Sequence, residues 1–454
     1  MFGTIIGVLV TIVTIYAIIK KYNQHAVLFA SGLFMMALAT IFTGTSVLGD
    51  KTTGSVIVDL FQFITNTGSS QLGGLGLIVM SVAGFAAYMD HIGASRRLAS
   101  LGIRPLQRLN RPYLVLGLTY TVGQILNIFI PSASGLALLM LVTMFPILLA
   151  LGIPRLSAAA VIVTTACLDL GPASGNANLA AKTAGIDVAV YFVQYQIPAS
   201  IAIIIGITIL HIVVQKYFDK KDIANGTAPA AEKEFKDEEQ EEAPLFYALL
   251  PIFPLALLLT FSSFTITTVK MNVVTAMFIG LTLSMICEAI RRKNGKVVLA
   301  SIKVFFDGMG RNLALVVTLI VAGQTFAQGL TQIGLIGYVI ETTKGIGFGI
   351  EAMMIVMTLI IAVTSIITGS GNAAFFAFAP LAPTVASAVG VNPIIMLLPM
   401  QLVAGIARSA SPILAATIAV SGILGLNNFD VAKRALIPMM GGVLITIIVS
   451  IILA

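Results

Sequence analysis

The chain has 454 residues, 58% of them hydrophobic and only 10% charged, with a mean hydropathy of +1.01 and a formal net charge of +7. A water-soluble domain carries about a quarter charged residues, so this composition excludes a soluble enzyme or a nucleic-acid-binding protein and describes an integral membrane protein. Two cysteines, Cys167 and Cys287, lie far apart in apolar segments, and His25, His91 and His211 are scattered. Neither a disulfide framework nor a metal cluster follows from them.

A spanning helix needs roughly 20 mostly apolar residues. In chain order the first half reads as spans over 3–19, 25–46 and 66–92, a helical hairpin over 113–151, a broken span over 156–186 and a closing span over 188–215. The first span has no basic leader or small-residue cleavage site, so it reads as a retained span rather than a signal peptide. Residues 216–245 hold nine of the 19 acids and five of the 26 bases without apolar periodicity, which describes a solvated linker. The second half then reads as spans over 246–266, 272–290 and 312–340, a hairpin over 348–389, a broken span over 393–426 and a closing span over 436–454. The chain thus divides into a first repeat (1–215), a charged linker (216–245) and a second repeat (246–454).

The two halves share blocks in the same order. "PSASGLA" from Pro131 lies over "GSGNAAF" from Gly369, placing Ser132 on Ser370 and, further on, Gly152 on Gly390; "GPASGNAN" from Gly171 lies over "ARSASPI", placing Ser174 on Ser411. Lys and Arg mark the cytoplasmic side of a membrane protein. If both hairpins enter and leave on one side, 21 bases share a face, among them Arg96, Arg97, Arg291 and Arg292. Lys51, Lys182, Lys270 and Lys344 fall on the other face, and Arg408 on neither. The halves are therefore expected to be inverted repeats, with the linker in the cytoplasm.

Inverted repeats with interrupted helices are the pattern of secondary transporters, whose sites lie where the helices break. A backbone gap in hydrocarbon strands polar groups at several kcal/mol each, so it persists only inside protein or beside a water-filled cavity. Four gaps occur, at Pro131–Gly135, Gly171–Asn176, Thr368–Asn372 and Arg408–Pro412. Each frees helix N-terminal N–H groups, which suit an anion. The expected substrate-binding residues are Ser132, Ser134, Ser174, Asn176, Ser370, Asn372, Arg408, Ser409 and Ser411, with Asn127 a further candidate. Gly135, Gly369 and Gly371 permit the tight tips. Asp169, Asn178 and Thr368 are expected at a coupling-ion or proton site.

Asp169 and Arg408 are the two ionisable residues deep in the spans, and intramembrane charges are usually functional. The repeat offset puts them in nearly equivalent places, where Arg408 could hold a carboxylate while Asp169 titrates, or the two could form a structural pair. Gln324, Gln328 and Gln332 form a polar stripe that could line the cavity or join helices. "GIGFGI" at Gly345–Ile350 lacks the context of a phosphate loop, and no hydrolase constellation appears, so an enzyme is not expected.

"TGSGNAAFFAFAPLAP" from Thr368 and "ARSASPI" from Ala407, with the two first-half motifs, resemble the anaerobic four-carbon dicarboxylate transporters of the DcuC family. The resemblance covers essentially the whole chain. It implies transport of succinate, fumarate or malate by proton-coupled symport, efflux or exchange in a bacterial inner membrane. Through the wider ion-transporter superfamily it also implies a homodimer with a scaffold and a moving transport domain, hence elevator-type alternating access. No cofactor is implied. The coupling ion would be a proton, with sodium the second candidate, because the tips do not carry the superfamily's Ser-Asn-Thr triplet. Another carboxylate as cargo, or an anion channel or membrane scaffold, stands as the alternative.

Overall fold

The computed structural model describes residues 2–20, 22–44, 46–225, 243–338, 341 and 350–453. Lys344, most of "GIGFGI", the end of the expected span 312–340, the start of the expected hairpin at 348 and linker residues 226–242 lie outside the described residues. Among those described the protein is all-helical, with no strand. Among the described residues seven helices are long and apolar enough to cross a membrane. One of them, Glu351–Thr368, is the inbound arm of the second hairpin; the other hairpin and broken-span helices are shorter, as are the helices in the expected spans 3–19 and 246–266.

Each half has the same order of elements. The first begins with Phe2–Ile19 and Gln24–Thr43, followed by a third span that runs over 56–91. Its hairpin has an inbound arm, Pro112–Asn127, and an outbound arm, Ala133–Thr143 and Phe145–Ala150. The broken span is Arg155–Ile162 and Gly175–Ala184, and the closing span covers 188–224. The second half has Phe253–Thr260, Val273–Arg292 and a third span, Gly295–Gln332. Its hairpin is Ile350–Thr368, Gly371–Phe378 and Ala382–Val389, its broken span Ile394–Arg408 and Ala415–Leu424, and its closing span Asn428–Leu453.

The third spans begin well before the expected 66 and 312. Asp59 explains the first case: Ser46, Thr52 and Thr53 hydroxyls and the Thr53 N–H donate to its carboxylate at 2.5–2.7 Å. Its carboxylate ties the preceding loop to the helix. At 38 residues the second case extends for about 57 Å, longer than the roughly 30 Å hydrocarbon core, so part of it lies beyond the membrane. Both third spans carry a wide π turn at matching positions, Leu72–Gly76 and Leu313–Val317, and the two turns pack together. Ala94–Ile103, a helix that the hydropathy pattern does not disclose, follows the first of these spans with Arg96 and Arg97 on it.

Arg96 and Arg97 line one cavity of about 470 Å³ together with Arg291 and Arg292. Basic residues that follow different spans of the two halves thus share a face, as the inverted arrangement requires. One residue of the glutamine stripe joins helices, Gln71 donating to Gln324 at 3.1 Å, while Gln328 donates to Gln332 one turn along its own helix at 3.3 Å. Cys167 and Cys287 are both free thiols.

The linker begins later than residue 216. The closing helix continues to Ala224, and Asp219 and Asp222 belong to a packed ion cluster with Arg434 of the other closing span. Sequence charge alone cannot distinguish a solvated acid from one with a buried partner 215 residues away.

Candidate functional site

The hairpin tips and breaks converge because short helices can pack where long ones cannot. Ile394–Arg408 is buried on all sides, with Ile395 its one residue not fully enclosed, so the break at its end faces protein rather than lipid. Glycines set the spacing. A Cβ on Gly371 would lie 2.3 Å from the Ala404 carbonyl oxygen, and one on Gly405 would lie 2.2 Å from that of Cys167. The second hairpin tip, the second broken span and the first break are therefore stacked at backbone contact. Gly405→Ala is expected to force these layers apart at a cost of about 1–3 kcal/mol. Thermal unfolding in detergent checks this, with a wild-type midpoint as the contrary result.

A cavity of about 150 Å³, roomy enough for several waters, lies at this convergence. Its wall comprises Asn127, Pro131, Ala133, Asp169, Leu170, Ser174, Gly175, Asn176, Asn372 and Arg408. All four gaps in the sequence contribute at least one residue or reach its edge. Arg408 Nη2 donates to Asp169 Oδ1 at 2.9 Å and to the Ala166 carbonyl at 3.1 Å. Asn176 donates to Asp169 Oδ2 at 3.0 Å and to Asn372 Oδ1 at 3.1 Å. Arginine, aspartate and two asparagines from both halves thus form one connected group. Arg408 Nε, Asn127 Oδ1 and Asn176 Oδ1 are buried there without a hydrogen-bond partner among the described residues. Buried polar atoms left in this way are what a bound polar molecule would satisfy.

Asp169 itself has φ 49°, a left-handed conformation that is uncommon for a residue other than glycine. The turn departs from the helix that ends at Ile162 and does not become helical again until Gly175. In the other half Arg408 is the last residue of its helix and the gap is shorter. The two charges occupy matching breaks of unequal length, which lets one side chain reach the other.

Five expected site residues, Asp169, Ser174, Asn176, Asn372 and Arg408, line the cavity, as does Asn127. The rest do not, and all but Ser134 have a structural occupation, as does Ser174 in the cavity wall. Ser132, Ser174 and Ser370 are helix N-caps, their Oγ accepting from Gly135, Ala177 and Ala373 N–H at 3.2–3.3 Å. Gly135 and Gly371 thus belong to the first turns of the capped helices, while Gly369, with φ 67°, forms the turn before one of them. Thr368 donates to the Thr364 carbonyl, and Ser409 to the Gly405 carbonyl. Ser411 accepts from Ile413 N–H at 3.4 Å. Asn178 donates to the Pro172 and Ser174 carbonyls of the first break and is not part of the cavity wall. Ser134 is half-buried beside the tip and outside the cavity wall. A serine in a gap reads alike in sequence whether it caps a helix or meets a ligand.

Residues 2–454 match the DcuC family, described as a C4-dicarboxylate anaerobic carrier. The chain belongs to the DcuC family. A protein named anaerobic C4-dicarboxylate transporter DcuC, from Escherichia coli O6:H1, is 34% identical over 449 residues, covering 98% of this chain and 95% of its own. A probable DcuC of the same description from Vibrio cholerae is 32% identical over 452 residues, covering 99% and 97%. Among solved structures, the YdaH transporter of Alcanivorax borkumensis, described as having an unusual topology, superposes with a TM-score of 0.66 at 16% identity, covering 95% of this chain and 98% of that one. MtrF of Neisseria gonorrhoeae superposes with a TM-score of 0.62 at 13% identity, covering 97% and 96%. At those identities the likeness is one of fold. Family and fold together make this DcuC-family chain a multi-pass transporter of the bacterial inner membrane.

Proposed function

We propose that the protein is a secondary active carrier of four-carbon dicarboxylates, succinate, fumarate or malate, and that Arg408 is the anchor for one substrate carboxylate. The observation that carries this reading is the Arg408–Asp169 pair in a cavity walled by residues of both halves. A guanidinium binds carboxylates through paired, charge-assisted hydrogen bonds, and Asp169 takes one such bond, from Nη2, leaving Nε without a partner. The second substrate carboxylate would meet the N-terminal N–H groups of the helices that begin at Gly175 and Gly371. Relatives that bear the name C4-dicarboxylate transporter support this cargo.

The same pair suggests how a cation is coupled. A dianion entering beside a charged Asp169 meets like charge at ~5 Å, about 3 kcal/mol for each pair at an effective dielectric constant near 20. Taking up a proton on Asp169 removes that repulsion and releases Arg408 to the cargo. Asp169→Asn is therefore expected to retain exchange of internal for external succinate while its uptake loses most of its dependence on pH. A wild-type pH profile in the variant would exclude Asp169 as the proton carrier.

Labelled succinate uptake into proteoliposomes, under an imposed proton gradient, a sodium gradient or internal fumarate, tests the whole proposal. Stimulation by one of these identifies the driving ion or exchange mode; flux that saturates in none removes the dicarboxylate reading. A single arginine at the cavity also favours a second reading, a monocarboxylate cargo, which competition by lactate or acetate would reveal. An elevator motion within a homodimer is the accompanying proposal, tested by cross-linking between the hairpins and the third spans and by mass in detergent.

A further inference from the structure

The first break leaves the backbone of residues 164–171 without a helical ladder, and buried glutamine side chains replace that ladder. Gln124 accepts from Leu168 N–H at 3.3 Å and donates to the Thr164 carbonyl at 2.9 Å. Gln196 accepts from Gly171 N–H at 3.0 Å. Gln401 donates to the carbonyls of Leu168 at 3.1 Å and Asp169 at 3.4 Å. Its own oxygen accepts from Gln196 at 2.7 Å and from the Tyr191 hydroxyl at 3.2 Å. All of Gln401's hydrogen-bonding capacity is thereby used, two donors and two lone pairs, in a side chain with no solvent exposure.

Two local features make this arrangement attainable. Tyr191 and Gln196 are five residues apart, which on a regular α-helix would separate them by about 140°. They bracket a π turn, Tyr191–Gln196, whose wider coil brings residues five apart onto one face. Gln401 and Arg408 are seven apart on one helix, two turns and about 10 Å along the same face. That helix therefore grips the first break twice, by amide at Leu168 and Asp169 and by guanidinium at Ala166 and Asp169.

We infer that Gln401, braced by Tyr191 and Gln196, is a positioning residue of the cargo site: it clamps the left-handed turn at Asp169 so that its carboxylate stands opposite Arg408. This deepens the carrier reading above and rests on it. The unit acts through Asp169 and Arg408 and does not line the cavity itself. It joins the closing span of the first half to the broken spans of both, so the site keeps its shape only while these three pack as one body.

Gln401→Met keeps the volume of the side chain and removes all four bonds. In the purified full-length chain it is expected to speed amide exchange of residues 164–171 at least tenfold, with the second hairpin unaffected. In proteoliposomes the KM for succinate should rise about tenfold, with a smaller change in maximal rate, and the pH profile should move toward that of Asp169→Asn. Tyr191→Phe removes one bond and serves if Gln401→Met does not fold; a two- to fivefold rise in KM is expected. Lowered thermal stability with wild-type KM and pH profile would reduce the unit to a structural brace and overturn the inference. Unchanged exchange at 164–171 would overturn it as well. If the wild type moves no succinate, the cargo reading fails alone: faster exchange at 164–171 still supports the clamp, and unchanged exchange removes it.

Discussion

Arg408→Gln abolishes detectable succinate binding in the expected outcome, by about two to four orders of magnitude in affinity. Hydrogen bonds to a charged group are worth about 1.5–3 kcal/mol each, and a paired carboxylate loses two, so about 3–6 kcal/mol disappears. The single variant has a complication, because it leaves Asp169 charged beside an empty place. Removing one partner of a buried pair is itself destabilising. The decisive comparison is therefore Arg408→Gln with Asp169→Asn, which keeps the cavity neutral and restores an amide contact between the two breaks. Equilibrium binding of labelled succinate to the purified double variant should remain absent while its melting midpoint returns near that of the wild type. Binding within a few-fold of wild type would remove Arg408 as the anchor.

Arg434→Met gives the largest expected loss of stability, about 3–5 kcal/mol. Arg434 is buried, donates to Asp219 at 2.8 Å and also pairs with Asp222, and its guanidinium lies 5.0 Å from the centre of the Phe218 ring. Ser157 and Tyr113 hydroxyls donate to Asp219 at 2.6 and 3.0 Å, which ties the first broken span and the first hairpin to both closing spans. Without the guanidinium, two carboxylates remain in a place shaped for a cation. Thermal unfolding in detergent measures the loss. Adding Asp219→Asn should recover much of it, since the damage comes chiefly from the buried Asp219 carboxylate that loses its cation. No loss in the single variant would show that the cluster is solvated.

The cluster also illustrates what one-dimensional reading misses. Asp219 and Asp222 stand in a run of charges, so composition assigns them to a solvated linker, yet the helix carries them another two turns to a partner in the second half. Gln124, Gln196 and Gln401 were equally silent, because a single amide in an apolar span has no period and no motif. A signal existed only in combination: buried amides are costly unless paired, and a broken span needs donors and acceptors from elsewhere.

The sequence by itself determined the membrane class, the two halves, their opposite orientation and the four gaps. Each of these follows from composition, from lysine and arginine placement or from glycine and serine in apolar runs, which are properties of short segments. It also singled out Asp169 and Arg408, because charge in hydrocarbon is conspicuous. Only the tertiary structure decided which polar residues of the gaps face the cavity. Ser132 and Ser370 cap helices while Asn176 and Asn372 meet across the halves, and nothing local distinguishes them. The reason is physical: a capping bond closes within three residues, whereas a cavity wall is made by segments nearly 200 residues apart, and their meeting depends on the packing of every helix between.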